Sequence, residues 1–127
     1  RTFVYAACDT LKFLRRSGRV GFATAGIGSL LKIKPILVVT EGKATSFARV
    51  RTAKKVIPKL AELLAEKGMI DSIALVHSAA PSRAQQLKTQ IQAQFVPESF
   101  KSISQIGPAI GTHVGPGTIG IALIVAE

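Results

Sequence analysis

The sequence has one cysteine, no tryptophan and only seven acidic residues, and each shortage excludes a class of protein. A single cysteine cannot form an internal disulfide, and structural zinc sites need three or four Cys or His ligands. Cys8 lies in an apolar run, which favours a buried core residue over a nucleophile. The acids are too scarce for a two-metal site, and no nucleophile-elbow spacing is present. We therefore expect no metal, no cofactor and no catalytic residue, so that the protein is not an enzyme.

The sequence also lacks an initiating methionine. It begins Arg1-Thr2-Phe3-Val4-Tyr5 and enters an apolar segment at once, which is typical of a piece of a longer protein. A processed mature chain is the alternative. With 127 residues, 47% of them apolar, residues 1–127 are expected to form one globular domain with its own core. The single cysteine favours a reducing compartment, and we expect a cytoplasmic location.

Charge of one sign dominates the first half of the chain. Between Thr10 and Leu60 there are twelve Lys or Arg residues and one acid, Glu41. Such a field attracts phosphates, carboxylates or an acidic protein surface, although it can also be a solvated face balanced by a missing domain. Apart from Phe13 and Phe47, aromatics are not interleaved with the basic residues, so stacking platforms for nucleic acid are hard to find. Nucleic-acid binding is kept only as an alternative function.

Residues 102–126 carry no Asp, Glu, Lys or Arg and are numerous enough to cross a bilayer. Two prolines and five glycines interrupt this stretch, however, and they break any continuous helix. We expect no membrane span here. The stretch instead predicts a loop that leads into a buried strand.

The pattern of apolar residues predicts an α/β domain with a mixed, partly antiparallel sheet covered by helices. A short connection at Glu41-Gly42 favours a β-hairpin, which a purely parallel sheet does not contain. Pro58 conflicts with the helical pattern around it and should kink or break that helix. Strands are expected at 3–8, 35–40, 44–50, 72–77, 100–106 and 119–125, and helices from 9 or 10 to about 17, then at 23–31, 51–68, 81–95 and 108–113.

The strongest local signal is the glycine-rich segment 106–120, which carries His113. Glycines let a backbone approach a ligand closely and turn its amides toward it, and an imidazole can donate a hydrogen bond to an anion. A tight loop before a strand with an incidental histidine is the alternative. The segment is not a Walker A loop, and it precedes a strand where a dinucleotide fingerprint would follow one.

Two further segments carry weaker signals of ligand-binding residues. The segment 14–21 carries Arg15, Arg16 and Arg19 around a predicted helix-ending turn, where a guanidinium could pair with a carboxylate through two parallel hydrogen bonds. Solvated arginines at a helix C-terminus would give the same pattern. His77 ends a predicted strand and is either a second ligand contact or a structural histidine.

Together, several ordered segments resemble the C-terminal domain of the DegV family, over nearly the whole chain. The segments are Thr10-Leu11-x-x-Leu14-x-x-x-Gly18-Arg19-Val20, Ser29-Leu30-Leu31-x-Ile33-Lys34-Pro35-Ile36-Leu37, Gly42, Val50-Arg51-Thr52, Lys54-Lys55, His77 and Ile106-Gly107-Pro108-x-Ile110-Gly111-Thr112-His113-Val114-Gly115-Pro116-Gly117. The first and the last of these segments are the most specific. The family more often has Gly-Gly-Arg where this chain has Ser17-Gly18-Arg19.

The resemblance implies a two-domain carrier of a long-chain fatty acid, of which this chain lacks the N-terminal domain. It implies that His113 and Arg19 bind the carboxylate at the domain junction, with Thr112, Gly115, Gly117 and His77 as possible loop contacts. Some members present the acyl carboxylate to a separate fatty acid kinase, so such a kinase subunit is a possible partner. Four apolar residues could line the acyl tail, or could equally be ordinary core residues: Ala25, Ile27, Leu30 and Leu31.

Overall fold

The computed structural model describes residues 2–10, 34–41 and 43–126. Within these residues the chain forms one six-stranded sheet in the order β3-β2-β1-β6-β4-β5. Every neighbouring pair is antiparallel except β4 and β5, which are parallel. The predicted mixed, partly antiparallel sheet is therefore confirmed. The strands are β1 (Thr2–Ala7), β2 (Lys34–Thr40), β3 (Lys43–Val50), β4 (Ile70–His77), β5 (Phe100–Gln105) and β6 (Ile119–Val125).

Three α-helices lie in the described part of the chain: α1 (Val56–Ala65), α2 (Pro81–Ile91) and α3 (Pro108–Val114). Short 3-10 turns flank them at Ala53–Lys55, Gln92–Gln94 and Pro97–Ser99. The helices α1 and α2 pack on each other and on one face of the sheet, which buries their apolar stripes. None of the described helices is long and apolar enough to span a lipid bilayer.

The sheet face that α1 and α2 cover is the main core of the domain. Strand side chains alternate between the two faces, so every second residue of each strand points toward these helices. Ile119, Ile121 and Leu123 of β6 supply the centre of this core, and each is at most 2% exposed. Ala84, Leu87 and Ile91 form the inner stripe of α2 and are fully buried.

The opposite face of the sheet is built from small apolar side chains at its centre. Gly120 of β6 pairs with Ala6 on one side and Val76 on the other, and Ala122 pairs with Val4 and Ala74. Since these residues alternate with the core residues, they share the second face. The result is a shallow apolar floor that runs along three adjacent strands.

Pro58 does not kink a helix in the way the sequence suggested. The segment after β3 begins with a 3-10 turn at Ala53–Lys55, and the α-helical geometry starts only at Val56. Pro58 therefore falls in the first turn of α1, where its missing N–H has no helical partner to lose. Thr52 is the N-cap of the 3-10 turn, but its side chain makes no capping hydrogen bond.

The other predicted boundaries lie within a few residues of the observed ones. Gly68 ends the segment after α1 with a φ of 76°, and Pro81 is the first residue of α2. The helix α2 ends at Ile91 and continues as a 3-10 turn, so the predicted end at Phe95 was too late. The helices predicted from residue 9 or 10 to about 17 and over 23–31 lie outside the described residues, except for their start at Asp9 and Thr10.

Gly120 lies where the central strands of the sheet approach each other closely, so that a larger residue should destabilise the fold. A Cβ at this position would lie 2.6 Å from the carbonyl oxygen of Tyr5 and 3.1 Å from a methyl carbon of Val76. Because the first of these atoms is backbone, we expect Gly120→Ala to lower the free energy of unfolding by about 1–3 kcal/mol in urea denaturation. Gly107→Ala is the matched control, since its Cβ would meet nothing within 4 Å. Equal stability of the two variants would contradict this close packing.

Candidate functional site

The glycine-rich segment lies at one end of the sheet, where β4 ends and β6 begins. It leaves β5, forms the helix α3 over Pro108–Val114, and turns back through residues 115–118 into β6. Gly115 ends the helix with a φ of 83°, and its N–H donates to the carbonyl oxygen of Gly111 at 2.8 Å. The short helix predicted at Pro108–His113 is therefore present, one residue longer.

The end of β4 holds this segment on both sides. The N–H of Ile106, before the helix, donates to the carbonyl oxygen of His77 at 2.6 Å. After the helix, Gly117 N–H donates to the oxygen of Ser78 at 2.7 Å, and Ser78 N–H donates to that of Thr118 at 2.9 Å. Both ends of the segment are thus fixed to the rigid sheet by backbone hydrogen bonds.

Thr118 joins the end of α3 to the interior of the domain. It is fully buried, and its Oγ1 lies 2.9 Å from the carbonyl oxygen of Gly115 and 3.2 Å from that of Val114. The hydroxyl proton is shared between two carbonyls at the helix C-terminus, which otherwise lack helical partners. The thiol of Cys8 also hydrogen-bonds to the side chain of Thr118.

Cys8 is buried, as its apolar sequence context predicted. Its burial raises the pKa of the thiol to about 12, against a smaller opposing effect of the hydrogen bond with Thr118. The thiol is therefore protonated at neutral pH and is a poor nucleophile, because the thiolate is the reactive form. Cys8 contributes packing at the base of the loop.

His77 has a structural role that the sequence left open. Its Nδ1 accepts a hydrogen bond from the N–H of Ala80 at 3.2 Å, and the residue is 8% exposed. A nitrogen that accepts cannot carry the proton, so in the neutral ring the proton is on Nε2. This contact stabilises the turn that leads to Pro81 and leaves Nε2 as the ring's hydrogen-bond donor.

Asp9 and Lys34 approach the same loop from the ends of β1 and β2. The Nζ of Lys34 donates to the backbone oxygen of Asp9 at 2.7 Å and lies 3.2 Å from its Oδ1. The side chain of Asp9 lies directly against Gly117, where an added Cβ would come within 2.9 Å of the Asp9 Cβ. Neither residue was predicted from the sequence to belong to the site.

The second face of the sheet contains a cavity of about 250 Å³ at the far end from the loop. The residues around it are mostly small or apolar, with a single lysine: Thr2, Ser72, Ile73, Ala74, Lys101, Ala122, Leu123 and Ile124. The floor of Gly120, Ala6 and Ala122 extends from the loop toward this cavity. From Gly120 to Ile124 the strand covers about 13 Å, since each residue advances about 3.3 Å.

Only part of the predicted site can be located. Gly115, Gly117 and His77 lie together, since the loop is hydrogen-bonded to the end of β4 at His77 and Ser78. The backbone of Thr112 and His113 lies in the last turn of α3, beside them, while their side chains fall outside the described part of the structure. The remaining predicted residues also lie outside it: Arg19, Ala25, Ile27, Leu30 and Leu31.

The small residues of the second face were not predicted from the sequence. The signal was available in β6, where large residues at 119, 121 and 123 alternate with Gly120 and Ala122. A strand with bulky side chains on one face and minimal ones on the other marks a face that another backbone or a ligand can approach closely. Over the residues that the structure describes, no cluster of three or more His, Cys, Asp or Glu could hold a metal ion.

The domain is thus an α/β fold with a glycine-rich helix and loop fixed at one sheet end, above an apolar face. The family model described as "uncharacterised protein, DegV family" matches residues 1–126. A DegV domain-containing protein of Streptomyces coelicolor is 39% identical over 124 residues, which is 96% of this chain and 44% of that protein. The chain belongs to the DegV family.

Two solved structures have the same fold. The fatty acid binding DegV family protein of Streptococcus agalactiae is 31% identical, with a TM-score of 0.78 over 99% of this chain and 45% of that one. DegV of Bacillus subtilis, a fatty acid binding protein, is 35% identical, with a TM-score of 0.75 over 98% of this chain and 45% of that one. The chain spans less than half the length of these relatives.

Proposed function

We propose that this domain binds a long-chain fatty acid, with the carboxylate at the glycine-rich loop and the acyl tail along the second face of the sheet. The fatty acid binding of two related structures, each at least 31% identical, supports the ligand class. The observation that carries the placement is the apolar floor that begins at this loop and extends to a cavity of about 250 Å³. The protein acts as a carrier without catalytic residues of its own.

The tail is the main source of affinity in this proposal. Burial of each methylene contributes about 0.8 kcal/mol, so a sixteen-carbon acid gains on the order of 10 kcal/mol before ordering costs. The small side chains of Ala122 and Ala74 are proposed to leave room for an extended hydrocarbon on the sheet. The acyl tail is also proposed to contact a set of residues outside the described part of the structure: Ala25, Ile27, Leu30 and Leu31.

The carboxylate needs partners, because a buried unpaired charge is costly. We assign His113 and Arg19 to it, the first as a hydrogen-bond donor and the second as the opposite charge. His113 is positioned by α3, whose C-terminal carbonyls Thr118 holds. Gly115 and Gly117 are proposed to let the head group approach the loop backbone closely, although their own N–H groups already donate to Gly111 and Ser78. Thr112 is proposed as an additional contact. The imidazole of His77 is not assigned to the head group, because His77 pairs with the core residue Ile119 and so shares the face that the helices cover.

The carboxylate would then lie at the junction with a second domain of the same protein. Since the chain spans less than half of its relatives, that domain is proposed to supply the remaining head-group contacts. We further propose that the bound acid is presented to a fatty acid kinase subunit in the cytoplasm. The carboxylate is the end of the acid that such a kinase must reach.

The test is to purify the full-length protein, extract it with organic solvent and analyse the extract by mass spectrometry. The expected result is one long-chain fatty acid per protein, together with saturable uptake of palmitate or oleate by delipidated protein. A protein that contains no acyl chain and takes up neither acid would refute the proposal.

A basic surface near α1 is the proposed contact with the acidic kinase subunit. Arg51, Lys54 and Lys55 are all exposed, and no acid lies in the first turn of the adjacent helix. We expect the charge reversal Arg51→Glu with Lys55→Glu to abolish complex formation in gel filtration while palmitate binding stays within about twofold.

The control for this reversal combines four substitutions of exposed glutamines on and just after α2, which change the net charge by the same amount away from Arg51 and Lys55: Gln85→Glu, Gln86→Glu, Gln90→Glu and Gln92→Glu. The control variant should still form the complex. Loss of the complex in both variants would indicate an effect of total charge, and a complex with the Arg51 and Lys55 variant would remove this surface from the interface.

A further inference from the structure

We propose that Asp9 and Lys34 act as a positioning pair, which holds the glycine-rich loop and α3 in the geometry that receives the carboxylate. This inference rests on the proposed function and extends it to two residues that do not touch the ligand. The pair lies at the sheet end where β1 finishes and β2 begins, next to the loop that precedes β6.

First, Lys34 holds Asp9 in position through two contacts. One ammonium group lies 2.7 Å from the backbone oxygen of Asp9 and 3.2 Å from its Oδ1. The two acceptors belong to one residue, so the lysine fixes both its backbone and its side-chain direction. The strands behind them are already joined by the N–H of Cys8, which donates to the oxygen of Pro35 at 2.9 Å. Asp9 is therefore held in a defined position at the end of two paired strands of the sheet.

The second step is the contact of Asp9 with Gly117. A Cβ on Gly117 would lie 2.9 Å from the Cβ of Asp9, 3.2 Å from its Cγ and 3.4 Å from its Oδ2. On its other side Gly117 donates to the oxygen of Ser78 at 2.7 Å. The loop is thus confined between Asp9 and the end of β4. Gly117 has a φ of 90°, a conformation that favours glycine, so the tight contact and the backbone geometry require the same residue.

The third step leads from Gly117 to the helix. Thr118 follows directly, and its hydroxyl binds the carbonyl oxygens of Val114 and Gly115 at the end of α3. A shift of Gly117 would move Thr118 and with it the last turn of α3, which contains His113. Asp9 therefore acts on the head-group site through the loop, without contact to the ligand.

Charge gives the pair a second property that makes it testable. A carboxylate beside an anion site repels the ligand, and the side chain of Asp9 is 45% exposed. Lys34 offsets this repulsion. If Asp9 were only a nearby negative charge, its removal would tighten fatty acid binding. If Asp9 is a positioning residue, its removal loosens the loop and weakens binding, so the two roles predict opposite signs.

The experiment compares Asp9→Asn, Lys34→Met, the double variant and Lys34→Arg in the full-length protein. We expect Asp9→Asn and Lys34→Met each to weaken palmitate binding by about fivefold or more, and the double variant to be no worse than the more severe single variant. Lys34→Arg, which keeps the charge and the donors, should bind palmitate within about twofold of the unaltered protein.

Hydrogen exchange measured by mass spectrometry gives a readout that needs no ligand. Exchange in residues 107–118 should accelerate in Asp9→Asn and Lys34→Met but not in Lys34→Arg, while α2 stays protected. Tighter or unchanged palmitate binding by Asp9→Asn would overturn the positioning role alone. Failure of the unaltered protein to bind palmitate would overturn the proposed function, and the positioning role with it.

Discussion

Replacement of His113 by alanine is expected to weaken palmitate binding by the full-length protein more than tenfold. The proposed imidazole donor is then lost, and the carboxylate is left with one fewer partner in a partly apolar site. A hydrogen bond to a charged group contributes about 1.5–3 kcal/mol, which is tenfold or more in the dissociation constant. The measurement is isothermal titration calorimetry of delipidated protein with palmitate.

The matched control is Ile110→Ala on the same helix. Ile110 is 62% exposed, so its truncation alters α3 without removing a buried contact. Its dissociation constant should stay within about twofold of the unaltered protein, since isolated surface changes have small effects. Unchanged affinity in His113→Ala would remove this residue from the site and would leave the glycine-rich segment as a structural turn.

Ala122→Phe is expected to abolish tight binding of long acids while shorter acids are affected less. Ala122 lies on the second face between Val4 and Ala74, and it borders the cavity of about 250 Å³. A phenyl ring there would occupy the space assigned to the distal part of the tail. Since each buried methylene contributes about 0.8 kcal/mol, loss of even three of them lowers affinity for palmitate more than tenfold.

The comparison of palmitate with decanoate distinguishes this effect from misfolding. A damaged fold would lose both acids, whereas a shortened channel loses mainly the longer one. Ala65→Phe, at the exposed end of α1, makes the same change away from the sheet and should leave both affinities unaltered. Equal loss of palmitate and decanoate in Ala122→Phe, with an unchanged melting temperature, would contradict the proposed path of the tail.

The sequence predicted the strands well because each is short, apolar and bounded by clear turn residues. Ile119 to Val125 follows a glycine- and proline-rich loop, and it forms the strand β6 with these bounds. The hairpin at Glu41 is also present, with a φ of 53° at that residue. Local sequence carries this information, since turns and apolar runs act over a few residues.

The order of the strands could not be read from local patterns. β6, the last strand in the chain, lies between β1 and β4 at the centre of the sheet. Its pairing depends on contacts between residues more than 100 positions apart, such as Ala7 with Ile119. The same reason explains why Asp9, Lys34 and Gly117 were not recognised as one cluster, although each residue is visible in the sequence.

The candidate site was predicted through the family resemblance more than through residue chemistry. Residue chemistry alone left the segment around His113 as either an anion loop or a tight turn, and the resemblance favoured the first. The structure brings the backbones of Gly115, Gly117 and His77 together. The role of His77 differs from a simple ligand contact, because its Nδ1 is used by Ala80. The assignment of Arg19 and of the tail wall at Ala25, Ile27, Leu30 and Leu31 stays a prediction.

The most direct test of the account is a crystal structure of the full-length protein with bound palmitate. The account predicts elongated density whose carboxylate lies within hydrogen-bond distance of His113, with the tail against Ala122 and Ala74. Density for the acid elsewhere, with His113 and the second face of the sheet free of ligand, would contradict it.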